Sequence, residues 1–232
     1  MSTMISESGK SLVAQAMDAV KAHIRTAGLR VGDTLPGEAY FAGQLRVSRA
    51  VMREAFGALA ALRLIDVANG RRAKVGALDG SVMAASLDHA LSTSQMKVAE
   101  VWDVRRTIEM RTAALAAHNA TPVQAARIVA LAEAMGDDER PHAETTEDDI
   151  DFHLAIAEAS GNALFNQIVR SFVPLMRVAV PEAWRTRETE EQKREILERH
   201  RQLARAIANR DAAEAERRMA AHFDEAIGAL LR

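Results

Sequence analysis

Apolar residues recur every three or four positions along most of this chain, the spacing of one face of an α-helix. In the first part of the chain this pattern predicts helices over residues 12–26, from Leu35-Pro36 onward, and over residues 49–63, with Ser48 capping the third. Ala39 and Leu62 are expected to face inward. Two strand-like runs follow, separated by Asn69-Gly70, the dipeptide that most favours a hairpin. Three helices followed by a hairpin predict a winged helix-turn-helix.

Helical spacing continues to the end of the chain. Residues 76–80 form a short linker, and residues 98–119 read as a long helix that stops before Thr121-Pro122, a pair suited to start the next helix. Pro174 is expected to kink the apolar helix over residues 163–180. We therefore predict a mostly α protein, with a winged helix-turn-helix on residues 1–75, a linker over 76–80 and an all-α helical bundle on residues 81–232.

Composition supports this prediction. Only 4% of the residues are aromatic while 48% are hydrophobic, so the core depends on small and aliphatic side chains, which favours helices. There is no cysteine, which excludes disulfides, thiol catalysis and cysteine-ligated zinc, and leaves seven histidines as soft metal ligands. No apolar run approaches the ~18 residues that span a bilayer. A cytoplasmic protein without a membrane partner is expected.

Charge is divided unevenly along the chain. Residues 1–75 carry eleven Lys or Arg against six Asp or Glu, whereas the rest carries nineteen against twenty-six. A basic head on an acidic body suggests a polyanion as the partner of the head alone. Arg49 and Arg53 near the start of the third helix, and Arg71, Arg72 and Lys74 in the hairpin, favour DNA binding over ordinary solvated charge.

Four residues of the body have the spacing of a metal site. Asp149 and His153 lie four positions apart, on one face of a helix. His200 and His222 lie on two helices joined by a short turn, and an antiparallel hairpin would bring the two rings to within about one turn of the same level. Asp211 is expected to cap the second of these helices in a capping box. The alternative for the Asp149 helix is a solvated acidic face.

The head resembles the GntR family of regulators. Leu35-Pro36-x-Glu38 and Val47-Ser48-Arg49-x-x-x-Arg53-Glu54-Ala55 match the family motif. The resemblance implies DNA contacts from Ser48, Arg49 and Arg53 at the start of the third helix and entry of the wing tip, Asn69-Gly70, into the minor groove. Arg71 is added to the proposed contacts because of its charge beside that tip. Ala39 stands where most members have a DNA-contacting arginine, so the operator is expected to differ from the family's usual core.

The body resembles the ligand-sensing domain of the FadR-type regulators in that family. The matching residues are the Asp149-x-x-x-His153 pair, the Ala-Ser-Gly-Asn ending at Asn162, the Glu-Arg-His around His200, and His222. The resemblance implies a divalent metal ion held by Asp149 and the three histidines, with zinc placed before nickel, iron or manganese. It also implies a small hydroxy-, sugar or dicarboxylic acid as the effector.

Two interpretations of Arg105 and Glu109 stay open. They are either an i,i+4 ion pair at the surface, worth only ~0.3 to 0.5 kcal/mol, or part of the sensing domain. In the second interpretation Arg105 faces a cavity and pairs with an effector carboxylate. Asn162 is assigned to the same effector site.

These features together predict a transcription regulator and not an enzyme. The protein is expected to be a homodimer whose heads bind an inverted repeat in double-stranded operator DNA, because two-fold proteins pair with two-fold sites. An organic acid in the bundle would alter operator affinity. The alternatives are a direct metal sensor and a metal-dependent hydrolase, for which Glu109 is the only candidate general base.

Overall fold

The structure is a computed structural model, and it describes residues 10–68, 70–135, 142–185 and 189–230. Its described part is mostly helical, with one small antiparallel sheet. The chain divides into two compact units, and the division falls between Val82 and Met83. The mostly α fold class predicted from the sequence is confirmed.

In its described residues the first unit holds three helices and two strands. They are α1 (Leu12–Thr26), α2 (Glu38–Leu45), α3 (Arg49–Ala61), β1 (Ile65–Asp66) and β2 (Lys74–Val75). Ser48 begins α3, because its side-chain oxygen accepts a hydrogen bond from the backbone N–H of Val51 at 3.2 Å. The core is built from one face of each element and includes Val20, Leu35, Phe41, Met52, Phe56, Leu59 and Ile65.

The wing differs from the two-residue hairpin that Asn69-Gly70 predicted. The two strands pair antiparallel over only Ile65 with Val75 and Asp66 with Lys74, and a longer loop joins them. The segment before α2 extends this small sheet, since Thr34 bridges to Lys74. Asn69 lies outside the described residues, and Gly70 adopts φ 71°, the left-handed region that suits glycine.

Two residues expected in the core of the first unit lie outside it. The side chain of Leu62 is 45% exposed, because α3 ends at Ala61 and Arg63 then turns the chain with φ 55°. Ala39 is also exposed. The buried stripe of α3 runs through Met52, Ala55, Phe56 and Leu59.

The second unit is a bundle of helices. Its elements are α4 (Ser81–Ser92), α5 (Val98–Asn119), α6 (Pro122–Ala134), α7 (His142–Ala159), α8 (Ala163–Ser171), α9 (Val173–Arg185), α10 (Glu190–Ala208) and α11 (Ala212–Leu230). The long helix α5 contacts α7, α8, α10 and α11, so it lies at the centre of the bundle. The core combines alanines with a few large side chains, among them Trp102, Ile128, Phe152, Ile156, Leu203 and Phe223.

The helix boundaries largely follow the local signals. Thr121 caps α6 in a capping box with Pro122 at the first helical position, as predicted. Asp211 accepts from the backbone N–H of Glu214 at 2.9 Å, but the Glu214 carboxylate pairs with two arginines of α11, so the reciprocal half of the predicted capping box is replaced. The helix that carries Asp149 begins at His142.

The predicted kink near Pro174 is a break between two helices. The axes of α8 and α9 differ by 50° at Phe172, and Pro174 lies in the first turn of α9. Among the described residues no helix by itself has the length and apolar character needed to cross a membrane. The bent pair Ala163–Ser171 and Val173–Pro181 meets that test only when the two are taken together.

Candidate metal centre and nucleic-acid interface

Four potential metal ligands from three helices meet inside the second unit. Asp149 and His153 come from α7, His200 from α10 and His222 from α11. Each offers one ligand atom, and these atoms all lie within 4.8 Å of one another. All four residues are buried, with exposures of 6%, 1%, 1% and 7% in chain order. The structure therefore brings together every residue that the sequence proposed as a metal ligand.

Local structure explains this convergence. One helical turn separates Asp149 from His153, so both side chains leave α7 on the same face. The α10–α11 hairpin places His200 and His222 side by side, with ring centroids 4.7 Å apart. Two phenylalanines that neighbour ligand histidines in the sequence pack against the imidazoles. The ring centroid of Phe152 lies 5.2 Å from that of His200, and the ring centroid of Phe223 lies 5.5 Å from that of His222. The rings are thus held in an apolar environment.

The hydrogen-bond partners of His200 define how its ring is oriented. Nδ1 of His200 lies 2.9 Å from the carbonyl oxygen of Ile196, and because a carbonyl only accepts, Nδ1 carries the hydrogen. In a neutral His200, Nε2 is then an acceptor, yet it lies 3.1 Å from Oδ1 of Asp149, another acceptor. A proton or a metal cation between these two atoms would make the contact favourable.

His153 and His222 complete the set in different ways. Nδ1 of His153 is hydrogen-bonded to Oε2 of Glu109, so Nε2 is the nitrogen that this ring could offer to a metal ion. Nδ1 of His222 is buried and has no hydrogen-bond partner among the described residues. Buried polar atoms are nearly always paired, so this nitrogen fits an atom that would bind a metal ion. Three imidazoles and one carboxylate are ligands suited to a divalent transition metal.

The electrostatics of the cluster favour the protonation states in which Asp149 and His222 can bind a metal ion. Burial opposes ionisation of Asp149, but the hydrogen bond with His200 and the neighbouring imidazoles outweigh burial and hold the pKa of this carboxyl below its usual range. Burial, reinforced by the nearby imidazoles, places the pKa of His222 well below its usual value of 6.5. Asp149 as an anion and His222 as a neutral ring are the forms that bind metals.

Arg105 and Glu109 form an ion pair that is buried, so the surface ion pair is the wrong alternative. Each is 1% exposed, and Nε of Arg105 donates to Oε1 of Glu109 at 2.8 Å. The guanidinium carbon lies 4.5 Å from the ring centroid of Trp102 and 5.1 Å from that of Phe223. Nη1 of Arg105 is buried without a partner in the described chain. Burial opposes ionisation of Glu109, but the charges of Arg105 and His153 hold its pKa below the usual range.

The sequence connected Glu109 with the metal site only as the candidate general base of the hydrolase alternative, and it did not indicate the contact with His153, which lies 44 positions away. The only local signal was the i,i+4 spacing from Arg105. Asn162 is exposed, and its Oδ1 caps α8 by accepting from the backbone N–H groups of Leu164 at 3.0 Å and Phe165 at 3.3 Å. Its assignment to the effector site stays a prediction.

Five of the six residues proposed to contact DNA are described by the structure, and these five lie on the surface of the first unit; Asn69 lies outside the described residues. Arg49 opens α3 and Arg53 follows one turn later; both are exposed, as is the capping residue Ser48. Gly70 and Arg71 are exposed in the loop of the wing. The unit contains a helix-turn-helix, formed by the short helix α2, a turn at Arg46 with φ 53°, and α3. In this motif the second helix of the pair enters the major groove of DNA.

A winged helix-turn-helix unit joined to a helical bundle is the architecture of a ligand-responsive transcription regulator. Comparison with known families is consistent with this class. Residues 12–75 match the model described as bacterial regulatory proteins, gntR family, and residues 100–225 match the FCD domain. The chain therefore belongs to the GntR family of bacterial regulatory proteins and carries an FCD domain.

Individual relatives are transcription regulators as well. The chain is 29% identical over 204 residues to the HTH-type transcriptional regulator LutR of Bacillus subtilis (strain 168), covering 86% of this chain and 92% of the relative. It is 29% identical over 188 residues to the Glc operon transcriptional activator of Escherichia coli (strain K12), covering 78% and 74%. It is 26% identical over 221 residues to the HTH-type transcriptional repressor NanR of Cronobacter sakazakii, covering 93% and 84%.

A solved structure has the same fold. Streptococcus agalactiae GntR superposes with a TM-score of 0.65 at 24% identity, covering 92% of this chain and 98% of that one. The families and relatives are regulators and not enzymes, which confirms the predicted class and counts against the hydrolase alternative.

Proposed function

We propose that the protein is a metal-containing, ligand-responsive transcription regulator that acts as a homodimer. Asp149, His153, His200 and His222 hold one divalent metal ion. A small organic acid binds beside it and alters the affinity of the two heads for an inverted repeat in operator DNA. The chain's membership of the GntR family supports the DNA and effector parts of this proposal.

The observation that carries the proposal is the buried convergence of the four ligand atoms within 4.8 Å. Two observations support a bound cation. Nε2 of His200 faces Oδ1 of Asp149, and Nδ1 of His222 has no hydrogen-bond partner in the residues that the structure describes. A nitrogen-rich set with one carboxylate suits zinc first, and nickel, iron or manganese as well.

The chemistry of the cluster also supports an anionic effector. When bound, the metal supplies a positive charge that one carboxylate only partly neutralises, together with coordination positions open to oxygen ligands. Nη1 of Arg105 is buried and has no partner within the described part of the chain, so it is a donor suited to a carboxylate. Its Nε is already committed to Glu109, so only the far end of the guanidinium is available for an effector. Asn162 is proposed as a further contact through its amide nitrogen, since its oxygen caps α8.

DNA binding is proposed for the exposed residues of the third helix and the wing. The proposed contacts are Ser48, Arg49, Arg53, Asn69, Gly70 and Arg71. The related proteins include one named an activator and one named a repressor. We therefore propose that the effector changes operator affinity, and we leave the sign of regulation to measurement.

His200→Ala tests the proposal. His118→Ala is the matched control, because His118 is an exposed histidine of the same unit. Metal content is measured on both variants, and operator affinity is titrated with and without hydroxy-, sugar and dicarboxylic acids selected by thermal shift. We expect His200→Ala to lose metal and effector response while keeping effector-free DNA binding. Full metal content or an undiminished response in His200→Ala would disprove the site. A change of operator affinity with metal alone would favour the direct metal sensor.

A further inference from the structure

A chain of three buried polar residues leads from the centre of α5 to the metal cluster. Arg105 and Glu109 lie one turn apart on α5, and Nε of Arg105 donates to one oxygen of Glu109 at 2.8 Å. The other oxygen of Glu109 is hydrogen-bonded to Nδ1 of His153 on α7. All three residues are 1% exposed. Glu109 therefore uses its two oxygens for two different partners, one of which is a proposed metal ligand.

We infer that Glu109 is a positioning residue of the metal centre, which fixes the tautomer and the orientation of His153 so that Nε2 is the atom presented to the metal. A carboxylate only accepts hydrogen bonds, so Nδ1 of His153 must carry the hydrogen. In a neutral imidazole the lone pair is then on Nε2. A second hydrogen bond from a ligand histidine to a carboxylate orients the ring and raises the basicity of the metal-binding nitrogen.

His200 and His222 provide an internal comparison. Nδ1 of His200 donates to the carbonyl oxygen of Ile196, which belongs to its own helix, and its Nε2 faces Asp149. His200 thus presents Nε2 by the same device, with a backbone acceptor in place of a carboxylate. Nδ1 of His222 has no such partner among the described residues. Glu109 is the side chain that supplies this support to His153.

Arg105 gives Glu109 a fixed and neutralising partner. The guanidinium carbon packs against two aromatic rings, 4.5 Å from the centroid of Trp102 and 5.1 Å from that of Phe223, so packing sets its position independently of any metal. A buried carboxylate without a counter-charge would be strongly disfavoured. With Arg105 in place, the second oxygen of Glu109 stays aimed at His153 before the metal arrives. A preorganised ligand loses less freedom on binding.

The competing explanation is that the ion pair only joins α5 to α7. The two explanations differ in what Glu109→Gln would change. Glutamine keeps the size of the side chain, but it has one oxygen and one NH2 group in place of two acceptor oxygens. It can therefore keep only one of the two hydrogen bonds, with Nε of Arg105 or with Nδ1 of His153, and it lacks the charge that raises the basicity of His153. Glu109→Ala removes the acceptor altogether. A purely structural role predicts lower thermal stability with unchanged metal affinity, whereas a positioning role predicts weaker metal binding in both variants.

The test uses the full-length protein and Zn²⁺ alone, titrated in competition with a chelator of known affinity. We expect Glu109→Gln to weaken Zn²⁺ binding by about 10- to 100-fold and Glu109→Ala by more, the range found for outer-shell partners of metal ligands. Ile128→Ala is the control, since Ile128 is a fully buried core residue on α6, a helix that carries none of the four ligands. The inference is wrong if the Glu109 variants bind Zn²⁺ as tightly as Ile128→Ala.

Nitrogen NMR of the wild-type histidines provides a test that needs no variant. In the Zn²⁺-loaded protein we expect His153 to be coordinated through Nε2 with a hydrogen retained on Nδ1. Coordination through Nδ1 would overturn the inference even if the Glu109 variants failed to fold. The inference rests on the proposed metal site, and the outcomes separate the two. A wild-type protein that binds no Zn²⁺ refutes the site, whereas a wild-type protein that binds Zn²⁺ regardless of Glu109 refutes only the positioning role.

Discussion

Replacing Asp149 by Asn tests the charge of the metal site with almost no change in shape. Asparagine has nearly the volume of aspartate, so the substitution opens no cavity beside Phe152 and the three histidines. It removes the one carboxylate among the four proposed ligands. The amide can still contact Nε2 of His200, which lies 3.1 Å from Oδ1 of Asp149. The expected loss is therefore specific to metal binding.

The magnitude follows from two comparisons. Without metal, and with a proton between Nε2 of His200 and Oδ1 of Asp149, a hydrogen bond to a charged group, worth ~1.5 to 3 kcal/mol, is replaced by a neutral one of ~0.5 to 1.5 kcal/mol, a loss of about 1 kcal/mol. With Zn²⁺ at ~100 times its dissociation constant, the wild-type protein gains ~2.7 kcal/mol. For a chain of this size this corresponds to a rise in Tm of about 5 to 11 °C.

The variant is expected to lose nearly all of this gain. Losing an outer-shell partner already weakens metal binding by up to ~100-fold, so losing a ligand should cost at least that much. At the same Zn²⁺ concentration the gain then falls to about 0.4 kcal/mol, or about 1 to 2 °C.

Thermal unfolding of chelator-treated protein, with and without added Zn²⁺, measures the effect. His118→Ala should show the full wild-type rise, because His118 is exposed and is not one of the proposed ligands. An Asp149→Asn protein whose Tm rises with Zn²⁺ as much as that of the wild type would refute the assignment of Asp149 as a ligand.

Three further predictions concern the head and the response to pH. Arg49→Ala and Arg53→Ala should each weaken operator binding by ~1 to 3 kcal/mol if they read bases; unchanged gel shifts for the double variant would contradict this. Ala39→Arg should strengthen binding to the family's usual operator core, unless selection from random DNA already returns that core for the natural protein. Because the unfolded chain protonates His222 near pH 6.5 while burial keeps the folded ring neutral, metal-free stability should be full above this pH and fall below it. Denaturant titrations at pH 7.5 and 5.5 should show the loss and His222→Gln should reduce it; equal stability at both would count against a buried neutral His222.

The outline of the fold and the identity of the proposed ligands were accessible from the sequence because the interactions that set them are local. Helix starts such as Ser48, Thr121 and Asp211 depend on hydrogen bonds reaching three residues along the chain. The same short range places Asp149 and His153 on one helical face. The short turn between α10 and α11 likewise allowed His200 and His222 to be placed at one level of a hairpin, because such a turn fixes the relative height of two helices.

Tertiary structure decided what those residues contact. The i,i+4 spacing of Arg105 and Glu109 fits a surface pair and a buried pair equally well, and only the packed bundle, in which the guanidinium lies against Trp102 and Phe223, makes the pair buried. The exposure of Leu62 depended on where α3 ends, and the shape of the wing depended on Thr34, which lies far from β2 in the sequence.

The support of the metal site shows the same division. The sequence determined which side chains offer nitrogen and oxygen ligands, because residue type and helical periodicity are local properties. Which nitrogen of each ring faces the cluster depends on acceptors brought by other turns and other helices. Glu109 reaches His153 across 44 positions, and Asp149 reaches His200 across 51. Contacts at such separations leave no periodic trace in a sequence, because they exist only once the helices have packed together.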